Sequence, residues 1–597
     1  MNTMCAYILG LALFGLFTRS YAIQLSPAPT AAIIGYSSFA YTQMTSDRYA
    51  TPLPSPVTFQ SSYAPPFSNV STLLQANITY TTYTFDRNIT YNNDGVYGQS
   101  AYVALWDNYT YSTEAPFTTT VSPTPIPSSE LVFPPVLHNA PQIDQNASLL
   151  PPDFVWGVAG SAWQIEGGLQ LEGRGPGQLD TIGAIDNPTS GNDSNTADMN
   201  YFLYKQDIAR LAALGVPYYS FSISWSRVVP FGLANSPVNT QALEHYEDVI
   251  STCLEYGVTP IVTLMHVDNP VLVSLEDETF REHFLYYAKL VMTRFADRVP
   301  VWITFNEPNL VGYFYGYTAL PKILLAHADV YHWYKETLKG TGRISTKISS
   351  TLALPLDPSN PDDVEAANRY QDFQLGIMSN PLYLGQQYPE IVRNTSGVDL
   401  PALADDEIAY VNGTCDFYAL DAYISQFASP APGGISACAS NTSDPLFPTC
   451  ATLSNTQLNG WTMGARSNAY SYIAPQYVRQ QLGYVWNTFR PSGLMITEFG
   501  FPVYGEYARA LEDQRHDLER SLYYHDFLAE VLKSIHEDGV NVIGSLAWSF
   551  ADNNEFGSYE TQYGLQTVNR TDGLSTRHYK RSIFDLVDFF SVHISAP

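Results

Sequence analysis

The chain has 597 residues, of which 45% are hydrophobic, and its 57 acidic against 29 basic side chains give a formal charge of −28. This length and apolar content allow a large core within a single α/β domain. So acidic a chain shows no evident basic surface to replace counterions, which argues against nucleic-acid and anionic-membrane partners.

Residues 1–22 have the pattern of a secretory signal peptide. An apolar run from Ala6 to Phe17 is followed by small residues between Ser20 and Ala22, at the positions where such a peptide is cleaved. The start lacks Lys and Arg, so a signal anchor is the alternative, although the run is too short to span a bilayer. We expect a secreted, extracellular protein, associated with a cell wall or free, and no membrane span after signal removal.

Asparagine sequons and cysteines support export. Ten Asn-X-Ser/Thr sequons occur, at Asn69, Asn77, Asn88, Asn108, Asn146, Asn192, Asn394, Asn412, Asn441 and Asn569. Their density predicts an exposed, glycosylated surface. Cys438 and Cys450 bracket a polar loop and are the favoured disulfide pair, whereas Cys253 and Cys415 are expected to be free and buried. The cysteine spacing resembles no zinc site, and we expect neither a metal nor an organic cofactor.

Residues 23–150 form an N-terminal extension rich in Pro, Ser, Thr and Tyr. Its composition predicts partial disorder, with an extended linker over Thr118–Ser129. Tyr80–Phe85 and Ala101–Tyr111 are β-prone, and Asn92–Gly95 is a strong turn signal. We therefore expect one or two β-hairpins here, docked on the main domain.

From residue 151 to residue 597, apolar strands alternate with amphipathic helices. The predicted strands are Phe154–Gly157, Tyr219–Ile223, Thr259–Met265, Val301–Phe305, Ile344–Leu354, Phe417–Leu420, Leu494–Thr497 and Val542–Trp548. Eight such strands predict an α/β fold, a (β/α)₈ TIM barrel with loop insertions.

Two glutamates end apolar strands in this pattern. Glu307 follows Val301–Phe305, and Glu498 follows Leu494–Thr497. A carboxylate at such a place is costly unless it is solvated, paired or used in chemistry. Two carboxylates on different strands of one barrel can face each other across a sugar bond, as glycoside hydrolysis requires. A buried ion pair is the structural alternative.

Further polar and aromatic residues lie at the same strand ends, where barrel enzymes place their chemistry. They are Gln164, His266, Asn306, Tyr423, Trp548 and Glu555. Trp offers a flat face to a sugar ring, and the polar side chains can bond vicinal hydroxyls. Core packing is the alternative for Trp548, and loop bracing for His266. Asp268 and Asp552 are expected to brace loops, while Glu166 is ambiguous.

Over residues 151–594 the chain resembles glycoside hydrolase family 1, the β-glucosidase group. The motifs that carry the resemblance are Phe154–Gly157 with Gln164–Gly167, Phe221–Arg227, Thr304–Pro308, Ile496–Glu498, Trp548–Ser549 with Asp552, Asn553 and Glu555, and Tyr563–Leu565. The resemblance implies that Glu307 is the general acid/base, that Glu498 is the nucleophile and that the anomeric configuration is retained. Retention predicts carboxyl groups about 5–5.5 Å apart.

The resemblance also implies roles for the other site residues. Asn306 would bond the 2-hydroxyl, and Trp548 would stack on the sugar. Tyr423 would orient the nucleophile. The residues that would grip the remaining hydroxyls are Gln164, His266 and Glu555.

Several positions depart from the family pattern. Ser220 stands where the family usually has an Arg beside the nucleophile, so the charged form of Glu498 loses support unless another cation substitutes. The other departures are Val267, Asp421 with Ala422, Phe499 and Phe556. From its position alone, we predict that Asp421 acts as an extra acid near the site.

The leading hypothesis is a secreted, retaining exo-β-glycosidase that acts on small-molecule glycosides or oligosaccharides. β-D-Glucose is the favoured glycone, with β-D-galactose and β-D-fucose as alternatives. A non-catalytic carbohydrate-binding protein at the cell surface and a transglycosidase are the rival hypotheses.

Overall fold

The structure is a computed structural model that describes residues 48–51, 57, 62–88, 94–109, 111, 114–134, 149–181 and 194–594. The predicted signal peptide, residues 23–47 of the extension and the sequons at Asn146 and Asn192 lie outside these ranges.

The centre of the molecule is a closed parallel barrel, and the (β/α)₈ prediction is confirmed. Its strand segments are β1 Val155–Ala159, β2 Tyr218–Ser222, β3 Thr259–Met265, β4 Val301–Phe305, β5 Arg343–Ser345, β6 Lys347–Pro355, β7 Tyr418–Pro430, β8 Leu494–Phe499 and β9 Val542–Trp548. Only Thr346 separates β5, which pairs with β4, from β6, which pairs with β7. The two segments therefore occupy one strand position of the barrel. Strand β9 pairs with β1 and closes the barrel.

Amphipathic helices surround the barrel. The helices include α1 Gln99–Ala104, α2 Asn200–Ala213, α3 Thr240–Glu255, α4 Phe280–Phe295, α5 Leu320–His332, α6 Pro361–Gln371, α7 Val478–Phe489, α8 Leu518–His536 and α9 Arg581–His593. Of these, α1 lies in the extension and the rest belong to the barrel domain. Among the described residues, no helix is long and apolar enough to cross a membrane.

The barrel interior is filled by one cluster of apolar side chains, here called the interior layer. It consists of Val155, Ile261, Val301, Ile303, Phe417, Ala419, Met495 and Leu546, with Tyr218 against it. Because side chains alternate along a strand, Ser220 also faces the interior, two residues beyond Tyr218. The interior layer closes the bottom of the barrel, so polar chemistry is confined to the strand ends above it.

The predicted hairpins of the extension are wrong for the described residues. Ala101 lies in helix α1, and Tyr80–Thr81 pairs in parallel with Val238–Asn239 of the barrel domain. Trp106, just beyond α1, is fully buried with Leu169 and Phe231. Burying these aromatic rings against the barrel outweighs the weak β-propensity of the segment.

The linker and the cysteines are both resolved. The predicted linker Thr118–Ser129 runs along α2, where the Val121 N–H donates to the Phe202 carbonyl at 2.9 Å.

Cys438 and Cys450 form the predicted disulfide, with their Cα atoms 5.6 Å apart. Cys253 is free and buried as expected, whereas the free Cys415 is only partly buried.

Candidate active site

A cavity of about 750 Å³ opens at the C-terminal ends of the barrel strands. Four of the predicted site residues line it: Asn306, Glu307, Tyr423 and Glu555. The other four adjoin this wall through contacts with one another and with the lining residues. The structure therefore brings the whole predicted set together.

Glu498 lies on β8 and is almost fully buried, with 4% of its surface exposed. Two donors hold its carboxylate: Lys347 Nζ lies 2.6 Å from Oε1, and the Tyr423 hydroxyl lies 3.0 Å from Oε2. The Lys347 contact is a buried ion pair. Glu498 is thus oriented by one charged and one neutral donor.

Glu307 has a different environment. It follows β4 and is joined to Lys347 only through the backbone, by a hydrogen bond of 3.1 Å from its N–H to the Lys347 carbonyl. Burial, and then the charge of Glu498, raise the pKa of Glu307 to about 7. A hydrogen bond with Ser349 and the charge of Lys347 act more weakly in the opposite direction. The cavity therefore holds a carboxyl that keeps its proton to higher pH than an ordinary glutamate, beside an ion-paired carboxylate.

Three residues that line the cavity have left-handed backbone conformations. Glu307 has φ +47°, Phe556 has φ +46° and Val267 has φ +62°. This region is unfavourable for residues other than glycine, and most of all for a β-branched side chain. Such strain is commonly kept where it positions functional groups.

A second group of predicted residues forms one connected chain. His266 stacks on Trp548 with ring centroids 5.7 Å apart. Trp548 forms a side-chain hydrogen bond with Glu555, and Gln164 Nε2 donates to Glu555 Oε2 at 2.9 Å. Burial and then Glu498 raise the pKa of Glu555 to about 8. Asn306 Oδ1 is buried and has no hydrogen-bond partner among the described residues, so it is available to a ligand hydroxyl.

The remaining acidic residues near the site have structural partners. Glu166, ambiguous in the sequence, pairs with Arg227 at 2.5 Å. Asp268 accepts the His266 backbone N–H, and Asp552 pairs with Lys580 at 2.7 Å. These contacts brace loops, as expected for Asp268 and Asp552. In the described part of the chain, no group of three or more His, Cys, Asp or Glu residues is arranged to hold a metal ion.

A model of glycosyl hydrolase family 1 matches residues 146–591. The chain belongs to this family. Beta-glucosidase 1B of Phanerodontia chrysosporium is 32% identical over 484 residues, which cover 75% of this chain and 86% of that protein. The protein is accordingly a glycoside hydrolase similar to β-glucosidases.

Solved structures of fungal family members show the same fold. Beta-glucosidase 2 from Trichoderma reesei, in complex with Tris, matches with a TM-score of 0.71 and 30% identity, covering 75% of this chain and 100% of that one. A β-glucosidase from Humicola insolens, in complex with glucose, matches with a TM-score of 0.70 and 30% identity, covering 74% and 98%.

The cation that pairs with Glu498 is not at the position where the resemblance led us to look for one. Ser220 occupies the place of the expected Arg, and Lys347, which the sequence analysis missed, supplies the charge from β6 instead. The available signal was a lone lysine inside the predicted fifth strand, since lysine is almost never fully buried without a partner. Two aromatic residues at the cavity mouth, Tyr313 and Phe314, were also missed.

Proposed function

We propose that the protein is a secreted, retaining exo-β-glycosidase that releases a terminal, non-reducing β-D-glucosyl residue by double displacement. The observation that carries the proposal is the unequal pair of carboxyls at one cavity. Glu498 is ion-paired with Lys347, whereas the pKa of Glu307 is raised to about 7 by burial and by Glu498. A nucleophile and a general acid require these two states.

In the first step, a Glu498 oxygen forms a bond to the anomeric carbon while the bond from that carbon to the aglycone oxygen breaks. The electron pair leaves with the aglycone oxygen, which takes the proton of Glu307. Formation of the ester removes the charge of Glu498, which is the second cause that raises the pKa of Glu307. Glu307 then acts more readily as a base and takes a proton from water. The water oxygen forms a bond to the anomeric carbon while the ester bond from that carbon to Glu498 breaks, and its electron pair restores the Glu498 carboxylate.

Glucose as the glycone is supported by the polar groups around the cavity. Gln164 and Glu555 are hydrogen-bonded to each other and offer paired contacts to vicinal hydroxyls. Asn306 Oδ1 is an unused acceptor beside Glu307. The family member from Humicola insolens was solved with glucose bound, which favours the same sugar here.

The cavity mouth favours an aglycone with an apolar face. Phe314 is 73% exposed, and Phe556 and Tyr313 are 48% and 40% exposed, all three lining the same cavity. Exposed apolar side chains that adjoin a pocket commonly form part of a binding surface. We expect a higher kcat/KM for octyl or aryl β-glucosides than for cellobiose.

Secretion is proposed from the N-terminal pattern and the surface. All the sequon asparagines within the described ranges are exposed: Asn69, Asn77, Asn88, Asn108, Asn394, Asn412, Asn441 and Asn569. Export would allow the Cys438–Cys450 disulfide to persist. Recovery of the protein from culture medium, with Ile23 as its first residue and a mass that falls after N-glycan removal, tests the proposal.

A screen of nitrophenyl glycosides between pH 4 and pH 8 tests the activity and the glycone together. Proton NMR of the first product gives the anomer, and a β-anomer is expected. Binding of glucosides without turnover by the folded protein would favour the non-catalytic alternative, which the Ser220, Phe499 and Phe556 departures had suggested. Transfer to an added sugar acceptor in preference to water would indicate a transglycosidase.

A further inference from the structure

Lys347 begins strand β6 and is enclosed within the barrel, with 2% of its side chain exposed. In register it lies opposite Ala419 of the apolar interior layer, while Ser349, two residues on, lies opposite Asp421. Lys347 therefore lies at the level of the interior layer, directly beneath the cavity. Its Nζ ends 2.6 Å from Glu498 Oε1.

Three carboxyls of the site act on this ammonium: Glu498, Asp421 and Glu307. Among the described residues, only Lys347 forms an ion pair with any of them, and it does so with Glu498. Asp421 instead accepts from the Thr497 hydroxyl at 2.7 Å, and its second oxygen has no partner among the described residues. The geometry therefore places the single compensating charge on Glu498.

The protonation of the other groups agrees with this geometry. Burial, and then Glu498, raise the pKa values of Glu307, Asp421 and Glu555. Burial lowers the pKa of Lys347, but Glu498 and then Asp421 outweigh it, and the pKa ends above its ordinary value. His266, which also faces Lys347 electrostatically, has a pKa lowered by burial and by that charge.

We propose that Lys347 is the positioning residue that keeps the Glu498 nucleophile charged and oriented, in place of a cation at residue 220. This inference rests on the proposed glycosidase function. In this role Lys347 acts on the reaction through Glu498, which its Nζ contacts. Together with the Tyr423 hydroxyl it fixes the plane of the attacking carboxylate. If Lys347 only stabilised the fold, replacing it would not change the pH at which the enzyme becomes active.

The test is the acidic limb of the kcat/KM profile for an aryl β-glucoside in Lys347→Gln, which keeps a donor but loses the charge. Loss of the positive charge 2.6 Å from Glu498 Oε1 should move the acidic limb to higher pH, with kcat/KM at low pH falling by about 10- to 1,000-fold. The rate of inactivation by a 2-deoxy-2-fluoroglucosyl fluoride should show the same displacement.

Three further variants separate the effect of the charge from an effect on the structure. Lys347→Arg keeps the cation and should keep the limb near its wild-type position. Lys335→Gln loses an ion pair with Asp416 outside the cavity and should leave the profile unchanged. The double variant Ser220→Arg/Lys347→Gln returns a cation to the interior from β2 and should move the limb back.

The results distinguish this inference from the proposed function. An inactive wild-type enzyme would refute the proposed function itself. An active wild type whose acidic limb is the same in Lys347→Gln, or is displaced in Lys347→Arg, would overturn the role of Lys347 alone. If Lys347→Gln does not fold, as judged by circular dichroism, the Lys347→Arg and double-variant profiles decide by the same criteria.

Discussion

We predict that Glu307 sets the alkaline limb of the pH–rate profile. Its pKa is raised from 4.5 to about 7, first by burial and then by Glu498. That difference of about 2.5 pKa units favours the protonated acid by roughly 3 kcal/mol. Below pH 7 the acid carries its proton, and above pH 7 it loses it, so kcat/KM should fall as pH rises through about 7.

The assay compares two leaving groups in Glu307→Gln. Phenyl β-glucoside needs a proton on its departing oxygen, so its kcat/KM should fall by about 10²–10⁴ and lose the limb near pH 7. Dinitrophenyl β-glucoside leaves without a proton and should lose far less in its glycosylation step. Glu555→Gln is the matched control, a second buried carboxyl whose removal should keep the limb near pH 7. Equal losses for both leaving groups, or an intact limb in Glu307→Gln, would refute the reasoning.

Further predictions concern the extension, the extra acid and the glycone. Trp106→Ala should destabilise the protein by about 3–5 kcal/mol, because the fully buried ring packs the extension onto the barrel, while Trp461→Ala, at a 76% exposed site, should cost little. Denaturant unfolding measures both, and equal midpoints would contradict the packing. Asp421→Asn should alter the alkaline branch of the pH–rate profile, because burial and then Glu498 raise the pKa of this carboxyl. An unchanged profile would exclude it as an extra acid. Glu555→Gln should lower the preference for glucosides over galactosides in paired kcat/KM measurements, and an unchanged ratio would remove Glu555 from glycone selection.

The barrel was predictable because its strands are continuous apolar runs. Val301–Phe305 and Leu494–Phe499 are buried throughout; Glu307 lies two residues beyond the first, and Glu498 is the penultimate residue of the second. A strand buried on both faces needs such a run, and chemistry at its end needs a polar residue. Glu307 and Glu498 were predicted as candidate site residues for that reason.

Lys347 and the extension were not predictable in the same way. The partner of Lys347 lies on β8, and their proximity depends on ring closure through β5 and β6. No local pattern in the sequence indicates how the barrel closes. The segment around Tyr102 and Trp106 has β-prone composition, but its fold is decided by contacts with Leu169 and Phe231 on the barrel.

The most direct test of the central claim is to trap the glycosyl-enzyme with a 2-deoxy-2-fluoroglucosyl fluoride and to map the ester by peptide mass spectrometry. The label is expected on Glu498, and Glu498→Ala should be inactive, remain unlabelled and regain turnover with azide. With azide, that variant should release the α-glucosyl azide. A label on another residue, or wild-type turnover in Glu498→Ala without azide, would contradict the assignment.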